Sequence, residues 1–143
     1  MIQFELSTLI NRPLAAVSDY VCNPLNVPRW QPAMREIRAI TPGPVGVGTQ
    51  YQVRNEMMGQ KIEGVMQVIA LEPGKKFVIQ MNNGPVKVDI TFTFKPLGNG
   101  TKLTLAVQGE PGGMFKLAEG MLVNQIKGQM EQNLTRLKKE LEI

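Results

Sequence analysis

The sequence VKVDITFTFKPLGNGTKLTLAV, residues 86–107, predicts two antiparallel strands joined by a tight turn. In its first half, Val, Ile and Phe alternate with Lys, Asp and Thr, which is the period of a strand with one buried face. Residues 97–100, LGNG, supply turn-forming side chains, and Leu103, Leu105 and Val107 continue the apolar face on the returning strand. This hairpin indicates an antiparallel sheet with one side against a core.

Upstream of this hairpin, the same alternation recurs between turn-forming segments. We expect strands at residues 3–10, 35–40, 51–57, 61–68 and 77–81, with turns at 58–60, 72–75 and 82–85. The inward positions of the middle strands are mostly apolar: Tyr51, Val53, Asn55, Met57, Ile62, Gly64, Met66, Val68, Phe77, Ile79 and Met81. The sequence therefore predicts a seven-stranded sheet, six strands of which follow one another directly.

Prolines and glycines organise the segment between the first two strands and the loop after them. Pro13 fits the first turn of a short helix, and Pro24, Pro28 and Pro32 allow only a second short, kinked helix, which carries Trp30. Residues 41–49, TPGPVGVGT, read as a loop.

The C-terminal segment predicts one long amphipathic helix. Residues 110–113, EPGG, are expected to end the sheet, and no proline follows them. At 100° per residue one face is apolar: Phe115, Ala118, Leu122, Ile126, Met130, Leu134, Leu137 and Leu141. A one-sided sheet and a one-sided helix bury their apolar faces together, so we predict an α+β fold in a single domain spanning residues 1–143.

Composition limits the class of protein. The chain has 143 residues, of which 43% are hydrophobic, and it has no apolar run of the roughly 20 residues that a membrane-spanning helix needs. Residues 1–13 do not resemble a signal peptide, and Cys22 is the only cysteine, so we expect a soluble cytoplasmic protein without a disulfide. The net charge is +4, but the basic residues are dispersed among acids, which argues against nucleic-acid binding.

Several weak motifs occur in a characteristic order. Pro13 opens the first helix, residues 23–32 read NPLNVPRWQP, Val47-Gly48-Thr49 leads into a strand, and residues 71–75, LEPGK, form a hairpin turn. This order resembles the START/Bet v 1-like (SRPBCC) superfamily, in particular its polyketide cyclase/dehydrase and lipid transport branch. The resemblance covers the whole chain and implies a helix-grip fold: a curved seven-stranded antiparallel sheet around a long C-terminal helix, with two short helices after the first strand. It further implies a hollow for lipids, hormones, polyketides or other hydrophobic molecules.

The sequence lacks the residue that is most suited to proton transfer near neutral pH and that most often binds metals. Histidine is absent altogether, so a catalytic triad or a zinc site is not expected, and we predict neither a metal nor a cofactor. Cys22 reads as a buried structural thiol. Residues 43–49 lack the Lys-Ser/Thr ending of a phosphate-binding loop.

The predicted ligand site lies on the facing surfaces of sheet and helix. Its candidate residues are Trp30, Tyr51, Val53, Asn55, Met57, Met66, Phe77, Ile79, Met81, Ile90, Phe92, Phe115, Ala118, Met121, Leu122 and Ile126. Methionines adapt to irregular apolar guests. The alternative is a core that is fully packed; the resemblance favours a hollow, and Ala118, which is small within the apolar stripe of the helix, would leave room for one.

Four of the candidate residues allow two interpretations each. Trp30 either covers the cavity or packs the proline-rich bend against the sheet, and we favour the packing role. Tyr51 and Asn55 are either ligand contacts or buried groups with internal partners. Glu119 is either a general acid or ligand anchor among apolar side chains, or, as we favour, exposed to water. Met121 belongs to a second apolar strip near the start of the helix, which could act as a lid.

Three functional hypotheses follow. The first is a noncatalytic carrier or sensor of a hydrophobic small molecule, favoured by the apolar inner face. The second is a cyclase or dehydratase in which Tyr51, Asn55 and Glu119 polarise a carbonyl of a polyketide-like substrate. The third, an interaction module that uses exposed loops, receives little support from the dispersed charge. The ligand and the oligomeric state are not determined by the sequence.

Overall fold

A computed structural model describes residues 2–57, 59–83, 86–111 and 119–143. The elements follow in this order: β1 (Ile2–Ile10), α1 (Leu14–Val21), a 3₁₀ turn (Pro24–Asn26), α2 (Val27–Trp30), β2 (Met34–Ala39), β3 (Gln50–Met57), β4 (Gln60–Glu72), β5 (Lys76–Asn83), β6 (Val86–Leu97), β7 (Gly100–Pro111) and α3 (Glu119–Leu141). The predicted α+β architecture is confirmed, with two short helices after β1 and a long helix at the C-terminus.

The seven strands form one antiparallel sheet in the order β1-β7-β6-β5-β4-β3-β2. Consecutive strands from β2 to β7 pair as hairpins, and β1 closes onto β7 with Phe4 opposite Val107 and Leu6 opposite Leu105. The edges of the sheet are therefore β1 and β2. In β2, the pairing with β3 shifts between Met34 and Glu36, so that Met34 lies opposite Asn55 and faces the core.

The inner face of the sheet carries the core, as the alternation predicted. Buried side chains recur at every second position of β5 to β7: Phe77, Ile79, Met81, Val88, Ile90, Phe92, Phe94, Leu103, Leu105 and Val107. Helix α3 contributes Ile126, Leu134, Leu137 and Leu141 to the same core. Their spacing of three, four and eight residues is that of one helical face.

Three strands differ from the sequence-based expectation, and one of them is β5, which continues through Asn83 into the segment expected to be a turn. Strand β7 continues through Pro111, because Glu110 and Pro111 pair with Lys87 and Val86 at the end of the long β6–β7 hairpin. The described part of β1 pairs with β7 only as far as Gly109, so Pro111 has a neighbouring strand on one side alone, where a proline is tolerated. In β4 a bulge lies between Val68 and Ala70, so that Ala70 lies opposite the partly exposed Val78, and Leu71 lies opposite the buried Phe77.

The C-terminal end of α3 is fixed to the corner between β1 and α1. The backbone N–H of Asn11 donates to Glu142 Oε2 at 2.7 Å, and the guanidinium of Arg12 donates to the carbonyl oxygen of Leu141 at 2.8 Å. Lys138 Nζ lies 2.6 Å from the same Glu142 carboxylate. These bonds hold the helix in place relative to the first strand, and so hold its apolar face over the sheet.

Candidate functional site

A cavity of about 70 Å³ lies between the sheet and α3, at the end where β2 begins. Nine of its lining residues are apolar: Ala33, Met34, Met66, Ile79, Met81, Val88, Ile90, Ile126 and Met130. Four others carry carboxamides: Gln31, Asn55, Gln129 and Asn133. No lining residue within the described ranges is charged. The cavity is smaller than the several hundred Å³ typical of drug-sized ligand pockets, although it is large enough to hold more than one water molecule.

Strand register explains why methionines concentrate in this cavity. Met66 in β4 lies opposite Met81 in β5, and Met81 lies opposite Val88 in β6. Met34 is brought into the lining by the irregular start of β2, and Met130 extends from α3. Unbranched thioether side chains change rotamer at low cost, so these walls can move apart more readily than walls of Val or Ile.

The core next to this cavity is filled by an aromatic cluster of Trp30, Phe77 and Phe92. Phe77 and Phe92 pair across β5 and β6, with stacked rings whose centroids are 6.1 Å apart. Trp30 meets Phe92 edge to face, with a centroid separation of 6.2 Å. The crevice beside these rings holds only about 10 Å³. The inner face of β5 therefore passes from a packed end at Phe77 to a hollow end at Met81.

The cavity borders a depression on the outside of the protein. Ile126 and Gln129 line both the cavity and this depression, whose other walls include Glu56 and Gln132. Ile126 is 8% exposed, and Gln129 is partly exposed. These two side chains of α3 thus separate the interior from solvent.

Six of the candidate site residues line the cavity: Asn55, Met66, Ile79, Met81, Ile90 and Ile126. Five others are buried but lie outside its lining: Trp30, Tyr51, Val53, Phe77 and Phe92. Met121 is 78% exposed on α3. Phe115 and Ala118 lie outside the described residues, as do the side chains of Met57, Glu119 and Leu122, so the two interpretations of Glu119 both stand.

Seven lining residues were not among the sequence candidates: Gln31, Ala33, Met34, Val88, Gln129, Met130 and Asn133. A signal for three of them existed. Val88 follows the alternation of β6, Met130 belongs to the apolar stripe of α3, and Asn133 comes seven residues after Ile126, which places both on one helical face. No pattern marked the other four: Gln31, Ala33 and Met34 enter the lining through the irregular connection from α2 to β2, and Gln129 is a polar residue next to Met130 on α3.

Burial makes the phenol of Tyr51 and the thiol of Cys22 less acidic. Tyr51 is 3% exposed, and desolvation raises the pKa of its phenol, so it stays protonated at neutral pH and can donate a hydrogen bond. Burial likewise raises the pKa of the Cys22 thiol, which keeps it in its less reactive protonated form. Within the described ranges, no three His, Cys, Asp or Glu side chains come together as metal ligands would.

The family model for polyketide cyclase/dehydrase and lipid transport proteins matches residues 1–142. The chain belongs to this family. Family membership agrees with the resemblance noted from the sequence motifs. No curated protein matches the chain significantly by sequence. In the described parts of the chain, no helix has the length and apolarity needed to cross a membrane.

Solved structures show the same fold as this member of the polyketide cyclase/dehydrase and lipid transport family. A START superfamily protein from Mycobacterium smegmatis superposes with a TM-score of 0.81 at 16% identity, covering 98% of this chain and 97% of its own. A protein from Chromobacterium violaceum has a TM-score of 0.79 at 18% identity, with 100% and 99% coverage. The Zhui aromatase/cyclase from Streptomyces sp. R1128 has a TM-score of 0.78 at 13% identity, with 98% and 93% coverage. The helix-grip fold is thereby confirmed.

Proposed function

We propose that this protein binds a hydrophobic small molecule in the cavity between the sheet and α3, and acts as its carrier or sensor. The observation that carries the proposal is the uncharged, methionine-rich cavity beside an otherwise filled core. Burying apolar surface stabilises a complex by about 25 cal/mol per Å². Membership in a family described by lipid transport as well as cyclase activity supports the same role.

The small volume of the cavity is consistent with binding if the walls adjust. Met34, Met66, Met81 and Met130 line it from four different elements. Rotation of their side chains enlarges the space without moving the strands, since each thioether side chain has several low-energy rotamers. We therefore expect the volume of the cavity in the complex to exceed the 70 Å³ described above.

Native mass spectrometry of freshly purified protein, together with titration of the neutral fluorophore N-phenyl-1-naphthylamine, tests the proposal. We expect a co-purified apolar mass or saturable fluorescence enhancement. The variant Ala33→Phe places a phenyl ring at a partly exposed lining position and should weaken probe binding at least about tenfold, which corresponds to about 1.4 kcal/mol. Ala39→Phe, at the exposed last position of β2, makes the same change outside the lining and is the matched control, which should bind like the wild type. Absence of both a co-purified mass and probe binding would overturn the proposal.

A cyclase or dehydratase is the second candidate function, because the description of the family includes these enzymes. In that case a substrate would have to extend beyond the described lining of the cavity to reach Tyr51, whose protonated phenol would polarise the substrate carbonyl, with Glu119 as the acid or base. The test is turnover of a polyketide-like substrate by the wild type, Tyr51→Phe and Glu119→Gln. A rate unchanged in both variants removes this candidate and leaves the binding role as it was.

A further inference from the structure

The carboxamide of Asn133 is the most deeply buried polar group in the cavity lining. Asn133 is 3% exposed, although it lies on a helix with many exposed polar residues. Its Oδ1 is 3.4 Å from Nη1 of Arg136, and its Nδ2 is 3.8 Å from the sulfur of Met130. Both partners lie three residues away on α3, so within the described part of the chain this side chain forms no hydrogen bond to another element.

The chemistry of these two partners fixes which way the carboxamide points. The guanidinium of Arg136 can only donate, so the atom facing it must be the oxygen of Asn133. The amide nitrogen is then left beside the thioether of Met130, which is a weak acceptor. A buried N–H donor without a good acceptor is costly, and a ligand that supplies one removes that cost.

The absence of charge from the lining restricts the ligand that can meet this donor. Among the lining residues within the described ranges, there is no Lys, Arg, Asp or Glu side chain to pair with an ionised ligand. The guanidinium of Arg136 is not part of the lining, and Arg136 belongs to the exposed residues of α3. Transfer of a carboxylate into such a site is strongly unfavourable, whereas a ketone, ester or ether oxygen loses far less hydration.

We infer that, on the binding function proposed above, the cavity selects an uncharged ligand whose carbonyl or ether oxygen accepts a hydrogen bond from Asn133 Nδ2. The apolar remainder of the ligand contacts the methionines and the aliphatic side chains of β5 and β6. Free fatty acids and other carboxylates are rejected. Asn133 is a specificity-determining residue, and Arg136 positions it.

Three near-isosteric benzene derivatives separate these requirements: acetophenone offers a neutral carbonyl, cumene has no acceptor, and benzoate is ionised at pH 7. Shifts of the methionine methyl signals in ¹³C-labelled protein give their dissociation constants and report directly on the lining. Acetophenone should bind at least about tenfold more tightly than cumene and benzoate. Equal binding of acetophenone and cumene, or preferential binding of benzoate, overturns the inference while leaving cavity binding in place. If none of the three binds and N-phenyl-1-naphthylamine does not bind either, the proposed function itself fails.

The variant Asn133→Leu removes the donor at similar volume. It should lower the affinity for acetophenone about tenfold, to that of cumene, and leave cumene binding unchanged or stronger. Gln132→Leu, at the exposed neighbouring position, is the matched control and should retain the preference for the ketone. Retention of that preference in folded Asn133→Leu, judged by circular dichroism, contradicts the role of Asn133. Should this variant not fold, the comparison of the three ligands in the wild type still decides the inference.

Discussion

Trp30 meets Phe92 edge to face at the filled end of the core, with ring planes inclined at 83°. The indole is 1% exposed, and its N–H has no hydrogen-bond partner among the described residues. The contact ties the short helix α2 to the middle of the sheet. It also separates the packed part of the interior from the cavity bordered by Met81.

Substitution of Trp30 tests how much this contact stabilises the fold. Trp30→Ala should lower the free energy of unfolding by about 3–5 kcal/mol, measured by urea denaturation, because it leaves a large void. Trp30→Phe should cost less, since it removes an N–H that lacks a partner and keeps an aromatic ring. Leu25→Ala, at a 52% exposed position of the preceding turn, is the control and should change stability by less than about 0.5 kcal/mol. A loss below about 1 kcal/mol in Trp30→Ala would contradict a packing role for the indole.

Two glycines should respond to alanine in opposite directions. A Cβ at Gly128 would meet no atom within 4 Å, and this residue is in the middle of α3, so Gly128→Ala should raise the free energy of unfolding by roughly 0.5–1 kcal/mol. A Cβ at Gly109 would collide with the carbonyl oxygen of Lys87 and with Val88. Gly109→Ala should therefore lower the melting temperature, and by displacing Val88 it should also alter the cavity. Stabilisation by Gly109→Ala would show that the two strands separate easily there.

The carboxylate of Glu142 makes the free energy of unfolding depend on pH. The hydrogen bond from the Asn11 N–H, followed by the bond from Lys138, holds the pKa of Glu142 below its usual value. A group whose pKa is lower in the folded state stabilises the fold above the unfolded pKa of about 4.3, and this contribution is lost as the pH falls through the folded value. The melting temperature of Glu142→Gln should thus lie below that of the wild type at pH 6 and approach it in acid. Glu131→Gln removes a charge from the same helix without these bonds and should not reproduce the pattern. A difference between Glu142→Gln and wild type that is independent of pH would assign the effect to something other than ionisation.

Ile126 should control how fast a ligand enters. Ile126 and Gln129 separate the cavity from the outer depression. Ile126→Val removes one methylene group from this barrier and should lower the free energy of unfolding by only about 0.5–1.5 kcal/mol. The association rate of N-phenyl-1-naphthylamine, followed by stopped-flow fluorescence, should rise at least about threefold. Ile37→Val, in β2 and outside the lining, makes the same change as a control. An association rate that is the same in all three proteins would place the entrance elsewhere.

Much of the fold could be predicted because it depends on periodicity. The alternation in β6 marked Ile90 and Phe92 as buried, and the stripe of α3 marked Leu134 and Leu137. The β4 bulge could not be predicted, because residues 68–71 read VIAL, and four consecutive apolar residues do not show which of them faces the core.

The location of the cavity was less predictable than the residues of the inner face. Met81 lines a cavity, whereas Phe77 on the same strand lies in a packed part of the core. This difference depends on how side chains from several strands and from α3 pack together. Such packing is not encoded in the spacing within a single element. Asn133 was overlooked because a polar residue on an otherwise apolar helical stripe does not show by itself whether it faces solvent or the interior.

The short, irregular strand β2 affects how folded molecules meet one another. An exposed strand edge offers unpaired amide and carbonyl groups on which a second sheet can grow. Here the six residues of β2 include Arg35, Glu36 and Arg38, all exposed, and the shift after Met34 interrupts the even spacing that an incoming strand would need. Arg35 is further tied to Glu56 of the neighbouring strand at 2.9 Å. At this edge, crowded molecules are thus discouraged from joining their sheets into fibrils.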